Sequence, residues 1–536
     1  MPDSISHVLW LSEISKSNRE GDLMKARKCK LGLKVVRLAV TGMVLWASVY
    51  VQAASPSGVL KQAIHWGISA DWLDPATGGH ASSGHLPLYL FHDALIKPMP
   101  EGGYIPCLAE SYTISPDAKI YEFKLRQGVK FHNEEPMTAE DVIFSFWRYR
   151  AAQAKFIHDK TEKVEAVTPH LVRFYFKESF PDFLEYLAPG VSTIQWVVPK
   201  KHIEKVGEAG FKKNPIGCGP YKFVEFVAGV KLVGEAFEDY WRKVPSIKRI
   251  EFYIVSEPAT RLAMVKRGEV DISTLMQGIF YEDVKKDSKL RLLAPLSPSQ
   301  WLVYITSQWD PKSPWSDARV RKAASLAIDR KTLADIHMPG CNPIGMTGLK
   351  GDPFLVEFPP DPYDPDRARR LLAEAGHPKG FQGGKFYPYQ GGYWPFGEQI
   401  ANYWKAVGIN VDTILLDRPA WFAMREGGKM KGGIFIDPSS GPTIGGRFSY
   451  LFGRVSYGNY PDIEALWDQY RREVVPKVRK DLMERIQTLI YERTMFIPLT
   501  DTNSPAALGP RVKGNPYKIQ PLIWFTAPFE DVELVN

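Results

Sequence analysis

Cysteine is nearly absent, with four residues in a chain of 536, and Cys29 falls inside a basic, apolar amino-terminal segment. Without that segment, Cys107, Cys218 and Cys341 are left, an odd number, so one disulfide with a buried thiol and three buried thiols both stay open. No apolar run reaches the roughly 20 residues of a comfortable membrane span, and no repeat or low-complexity tract occurs. The chain has no Gly-x-Ser-x-Gly elbow, no His-Glu-x-x-His, no phosphate-cradling loop ending in Lys-Ser or Lys-Thr, and no Cys-x-x-Cys. A secreted hydrolase would need a nucleophile, a base and an orienting group in one cleft, and the sequence assembles none, so no enzymatic activity is expected. The nearest miss, His132-Asn133-Glu134-Glu135, reads as a polar surface turn. No spaced His pair stands out, so neither metal nor cofactor is expected.

What is present is the composition of a globular protein, 44% hydrophobic and 24% charged residues at a mean hydropathy of −0.23. Single cores stop growing near roughly 250 to 300 residues, so at least two lobes are required. Aromatics make up 12% of the chain, with 15 Trp. Large cores explain most of them, and a concave ligand site would use the rest.

Lys25, Arg27, Lys28, Lys30, Lys34 and Arg37 precede an apolar run from Leu38 to Val51 that ends in Val51-Gln52-Ala53, the pattern of a secretory signal peptide spanning residues 1–53. Cleavage is expected after Ala53, giving a periplasmic protein; Met24 is an alternative start, and an uncleaved membrane anchor is the alternative reading. No cysteine follows the run, which disfavours a lipid anchor. Removing the segment takes eight Lys or Arg and four Asp or Glu with it, so the net charge falls from +8 to +4. That balance gives no reason to invoke nucleic acid.

A strand is expected from about Val59 to Leu73, followed by a loop at Asp74-Pro75. Tyr121 to Leu125 alternates as a half-buried strand, and Thr138 with Asp141 opens a helix through Tyr149. Asp317 to Ile328 is a second helix, and Pro365 to Ala375 a third, opened by Asp364 and closed by Gly376. Strands alternating with helices predict an α/β architecture.

Leu108 to Arg148 reads LAESYTISPDAKIYEFKLRQGVKFHNEEPMTAEDVIFSFWR, which resembles the signature of the peptide- and nickel-type solute-binding proteins of ABC importers, family 5. Further segments match in the family's order: Cys218-Gly219-Pro220-Tyr221-Lys222, Glu238-Asp239-Tyr240-Trp241, Arg267-Gly268-Glu269-Val270-Asp271, Asp317 to Ala323, Ala327-Ile328-Asp329-Arg330, Tyr363-Asp364-Pro365 and Phe496-Ile497-Pro498-Leu499. Read as residues, these are turns and caps of a scaffold. The resemblance implies a two-lobed periplasmic-binding-protein-like fold hinged between its lobes. Lobe I would take residues 57–88, 212–298 and 505–536, with an inserted subdomain at 89–211, and lobe II residues 299–504. Crossovers are expected near Ser297 to Trp301 and near Asp501 to Ser504. The implied function is capture of a peptide or similar small molecule by lobe closure and its delivery to a membrane permease, by a monomer.

The ligand residues are less plain. Where dipeptide-binding members hold the ligand's ammonium with an Asp in a Trp-x-x-Asp-Tyr-Pro-Asp-Pro-like segment, this chain reads Gly432-Gly433-Ile434-Phe435-Ile436-Asp437-Pro438-Ser439-Ser440-Gly441, without the Trp and the second Asp-Pro. Asp437 is either the ammonium ligand or a turn former, and Arg447, beside Phe448, either grips a carboxylate or faces solvent. Tyr387, Tyr389, Tyr393, Trp394 and Phe396 lie in a Gly- and Pro-rich stretch read as a loop and a stacking wall, with Trp301 similarly placed. Trp72 and His80 flank the Asp74-Pro75 loop, which faces the cleft in the family. A non-peptide ligand such as an opine, a sugar conjugate or an aromatic acid is the rival, because the peptide motif is eroded.

Overall fold

The computed structural model describes residues 55–77, 85–99, 102–150, 152–187, 196–348, 350, 352–389, 393–440, 443–451, 460–517 and 528–535. The expected signal peptide and His80 lie outside them. The first strand, β1 (Ser57–Ile64), is shorter than the run from Val59 to Leu73 expected from the sequence. Its parallel ladder with residues 247–254 ends where Ile64 meets Ile254. Ala70–Leu73 instead make a 3-10 turn, capped by Ser69 Oγ, which accepts the Asp71 N–H.

The chain then builds a smaller unit. β2 (Ile96–Met99) and β3 (Gly102–Pro106) form a hairpin, and β4 (Ala109–Ile114), β5 (Ile120–Leu125), β6 (Thr161–Thr168) and β7 (Leu171–Phe176) form an antiparallel sheet in the order β4-β5-β7-β6. Tyr121, Phe123 and Leu125 face the core as their alternation predicts. The helix Ala139–Arg148 starts where expected, with Asp141 Oδ2 accepting both the backbone N–H and the hydroxyl of Thr138 at 2.9 Å.

β8 (Tyr221–Val227), β9 (Lys231–Ala236), β10 (Ile247–Ile254), β11 (Ile272–Thr274) and β12 (Arg291–Leu293) return to the sheet of β1. β13 (Leu296–Ile305), β14 (Phe381–Tyr387), β15 (Ile409–Thr413), β16 (Ile434–Ser440) and β17 (Phe496–Asn503) form a second sheet ordered β15-β14-β16-β13-β17. β18 (Ala506–Leu508) then re-enters the first sheet, whose order is β12-β18-β11-β1-β10-β9-β8. Separate hydrophobic cores lie under the two sheets, so the molecule is a two-lobed α/β fold.

The sheets are joined by a continuous two-stranded ribbon. In the first sheet β12 pairs with β18, ending at Leu293 opposite Ala506. In the second, β13 pairs with β17, starting at Leu296 opposite Asn503. Between them the Ser504 N–H donates to the Pro295 carbonyl at 3.1 Å, so one antiparallel register runs unbroken through 294–295 and 504–505. The first passage thus precedes the segment 297–301 expected for it.

The signature segments serve this scaffold. Gly219 passes so close to the end of the helix His85–Phe91 that a Cβ would lie 2.6 Å from the Phe91 and His92 backbone. Arg148, closing the longest segment, clamps Asp74 through two bonds of 2.6 Å. Arg321 donates to the Trp315, Ser316 and Arg493 carbonyls, and Arg330 to those of Pro498 and Ser325. The guanidiniums of Arg321 and Arg330 cap backbone ends rather than meeting solvent. Cys107, Cys218 and Cys341 are three buried free thiols, so the structure selects that arrangement of the two left open. Among the described residues no helix is long and apolar enough to cross a membrane.

Glu134 has φ +69°. A left-handed L-residue costs roughly 1–2 kcal/mol, and Gly returns part of that in unfolded-state entropy. Glu134→Gly is expected to stabilise the protein by about 0.5–1 kcal/mol in chemical denaturation; a loss of stability would contradict the strain.

Candidate ligand site between the lobes

The wall offered by the first lobe is the carboxyl end of its parallel strands, where open α/β sheets take ligands. β1 lies between β10 and β11 and is parallel to both. Immediately beyond β1, the His65 ring packs edge-on to Trp66, with centroids 4.6 Å apart, and its Nδ1 lies 3.3 Å from Thr274 Oγ1 at the end of β11. The next residue, Leu275, holds φ +55° and gives its carbonyl to Arg261. Strained backbone at a strand end is characteristic of binding sites. Trp72 is half-buried against the core of the same lobe.

The second lobe contributes two groups of residues. In the first, Trp301 packs against Tyr389 and Tyr393, each with centroids 5.0 Å away, and against Phe396. Phe396 belongs to no loop, and Tyr393 is the N-cap of its helix. A helix runs from Trp394 to Ala406, and Pro395 is tolerated because the first-turn N–H groups have no intrahelical acceptor. Helical backbone replaces the loop expected at Trp394 and Phe396, Tyr387 ends β14, and Tyr389 lies in irregular backbone. Trp394 donates its Nε1–H to the Leu416 carbonyl at 3.1 Å. Trp301 Nε1 is buried inside this aromatic cage and has no acceptor among the described residues.

The second group is polar. Asp437 and Pro438 sit within β16, not in a turn, with Leu302 opposite Asp437 and Trp301 opposite Pro438. β14 pairs with β16 only at Ile434 and Phe435, so Pro438 stands on a locally free edge where its missing N–H costs no ladder bond. Asp437 is ion-paired to Arg425 at 2.7 Å, with both side chains at most 6% exposed. Arg447 is fully buried and donates to Thr347 Oγ1 at 2.9 Å, to the Ser439 carbonyl at 3.0 Å and to Gln300 Oε1. Gln300 in turn donates to the Gly348 carbonyl and to Asp501, whose carboxyl is raised by burial. Phe448 faces inward with Leu302, Arg330 and Leu451 around a cavity of about 20 Å³, room for one water.

The structure therefore brings Trp301 together with Tyr389, and Arg447 with Gln300 and Ser439, while Asp437 is occupied by Arg425. His65, Gln300 and Arg425 carried no sequence signal: their partners lie 209, 147 and 12 residues away. Among the described residues the lobes touch where Gln277 Nε2 reaches Met338 Sδ at 3.4 Å, and where Thr443 and Arg479 meet Glu185 and Asp182. Among the described residues no group of three or more His, Cys, Asp or Glu is placed to hold a metal ion.

The family model of the bacterial extracellular solute-binding proteins, family 5 Middle, matches residues 103–435. The chain belongs to that family. This family-5 binding protein is 26% identical to heme-binding protein A of Haemophilus influenzae, over 76% of this chain and 81% of the relative. It is 27% identical to the dipeptide-binding protein of Escherichia coli strain K12, over 73% and 76%. Its fold superposes with a TM-score of 0.77 on the periplasmic binding protein DppA of Helicobacter pylori in complex with peptide STSA, at 21% identity and over 89% and 98% of the two chains. The binding protein AgaA from A. tumefaciens R10 in complex with agropinic acid gives a TM-score of 0.76, at 22% identity and over 89% and 99%. Members of family 5 are extracytoplasmic binding components of ABC importers.

Removing one partner of a buried ion pair strands the other charge, at about 3–5 kcal/mol. Asp437→Asn in this family-5 protein is expected to cost that much in chemical denaturation, and Arg425→Met with Asp437→Leu to recover most of it. A neutral Asp437→Asn would show that Asp437 is not held within the lobe.

Proposed function

We propose that this chain captures a small peptide or peptide-like organic acid between its lobes and delivers it to the permease of an ABC importer. The lobes are taken as residues 57–88, 212–298 and 505–536 with the subdomain 89–211, and residues 299–504. The observation that carries the reading is the ribbon: one antiparallel ladder joins two separately cored lobes, so they can turn about it as rigid bodies. Ligand contacts made by both lobes exist only when the lobes are together, so binding shifts the population to the closed form. Trp301 Nε1 and the surrounding rings offer a donor and apolar faces to a ligand carbonyl or carboxylate. Export through a cleaved signal peptide at 1–53 places the protein in the periplasm, where it acts as a monomer and without catalysis.

One observation favours a non-peptide solute as the second reading. Asp437, which the resemblance sets against the ammonium-binding Asp of the dipeptide binders, is neutralised by Arg425 inside the lobe. A ligand with no charged amine, such as an aromatic acid or a lactam-type opine, loses nothing at such a site.

A thermal-shift panel of di- and tripeptides, their N-acetylated forms, opines and aromatic acids separates the readings. A true ligand at 100 times its Kd adds about 2.7 kcal/mol of stability. Stabilisation by free peptides above their N-acetylated forms supports peptide capture; equal or better stabilisation by N-acetylated peptides, opines or aromatic acids supports the second reading. Turnover of a peptide library by the pure protein would overturn both.

A further inference from the structure

The second lobe also touches the subdomain. The turn at Asp182 and the short helix Phe183–Tyr186 come from the subdomain, and Thr443 stands just ahead of the helix Ile444–Leu451 in the second lobe. Thr443 Oγ1 donates to Glu185 Oε2 at 2.6 Å while accepting the Gly446 N–H at 3.0 Å. Beside it, Arg479 of the helix Pro476–Glu492 pairs with Asp182, both side chains under 10% exposed, and its guanidinium lies 4.1 Å from the Tyr470 ring. At the margin Arg472 reaches Glu178 at 3.4 Å. The Asp182–Arg479 pair is buried and the Thr443–Glu185 bond partly so, and both need the lobes in contact.

We propose that Glu185 and Asp182, meeting Thr443 and Arg479, form a proton-linked latch that holds the lobes closed over the ligand.

The charges around Glu185 do not balance it. Arg479 is spent on Asp182, and Asp352, which accepts the Ile444 N–H at 2.7 Å, adds a further carboxylate from the second lobe. Tyr470 faces the same pocket, while Arg471 and Lys160 face Asp182 from its other side. Burial, then the neighbouring Asp182, pushes the Glu185 carboxyl up to about 8, and the Thr443 bond offsets only part of this. With the lobes apart the carboxyl is solvated and titrates near the ordinary 4.3 or so. Between those values the closed form holds a proton that the open form has lost. Closure is therefore favoured at low pH, weakens as pH rises, and levels off above about 8. The Thr443 hydroxyl keeps its bond in either state, because a neutral carboxyl still offers its carbonyl oxygen.

The latch depends on these contacts and not on which ligand is bound, so its failure would leave ligand capture standing. The test is small-angle scattering from the mature protein, unfolded and refolded to strip bound ligand, between pH 5.5 and 8.5. The wild type is expected to lose at least about tenfold in its closed-to-open ratio from pH 6 to 8. Glu185→Gln, which keeps the acceptor and removes the titration, is expected to hold one ratio across the range, and Thr443→Val to shift toward the open form at every pH. A wild-type ratio that does not move with pH, or a Glu185→Gln profile that follows the wild type, would overturn the latch.

Discussion

The register of the ribbon is the constraint on which the rest of the structure depends. Leu293 opposite Ala506, the bond between Ser504 and Pro295, and Leu296 opposite Asn503 form one ladder, with no loop between the sheets to take up a change in spacing. Pro295 and Pro505 stiffen the passage, and the Pro505 carbonyl accepts the Met276 N–H, tying it to the end of β11. Beyond Ser297 the register slips at a bulge before Gln300, which gives the second sheet its own twist. Relative motion of the lobes is thus limited to a few backbone angles, while each lobe keeps its core intact.

Buried arginines hold each lobe rigid enough for this motion to be useful. Arg261 serves the Thr274, Val255 and Ser256 carbonyls, and Arg330 those of Pro498 and Ser325. Burial brings both guanidiniums down to about 10, still charged at neutral pH. A planar fork of donors can satisfy several helix and strand ends at once, which no aliphatic side chain does. Arg321 and Arg330 belong to the segments that carry the family resemblance. Those segments therefore identify the fold and say little about the ligand.

What could be read from the sequence follows from the range of the forces involved. The helix Pro365–Glu374 was legible because its cap is local: Asp364 accepts the Arg367 N–H at 2.8 Å, and Gly376 leaves with φ +91°. The alternation of Tyr121, Phe123 and Leu125 was equally local. The stretch around Trp394 misled because Gly and Pro punctuate loops, yet Pro395 stands in the one helical turn that needs no N–H. Asp437-Pro438 misled in the same way, since a Pro at a free edge passes for a turn. Arg425 neutralises Asp437 through a contact between a helix and a strand, and no spacing in the sequence encodes that contact. The latch was invisible for the same reason, with 258 residues between Glu185 and Thr443.

The central claim is closure of two rigid lobes about one ribbon on ligand binding. It is tested most directly by single-molecule fluorescence transfer between dyes at Ala228→Cys in the first lobe and Lys477→Cys in the second. Both positions are exposed, and among the described residues the native thiols Cys107, Cys218 and Cys341 are buried away from labelling. Titration with a ligand that stabilises the protein should move the population from one interlobe distance to another, with a midpoint at the ligand's Kd. Saturable binding with an unchanged distance distribution would contradict the claim.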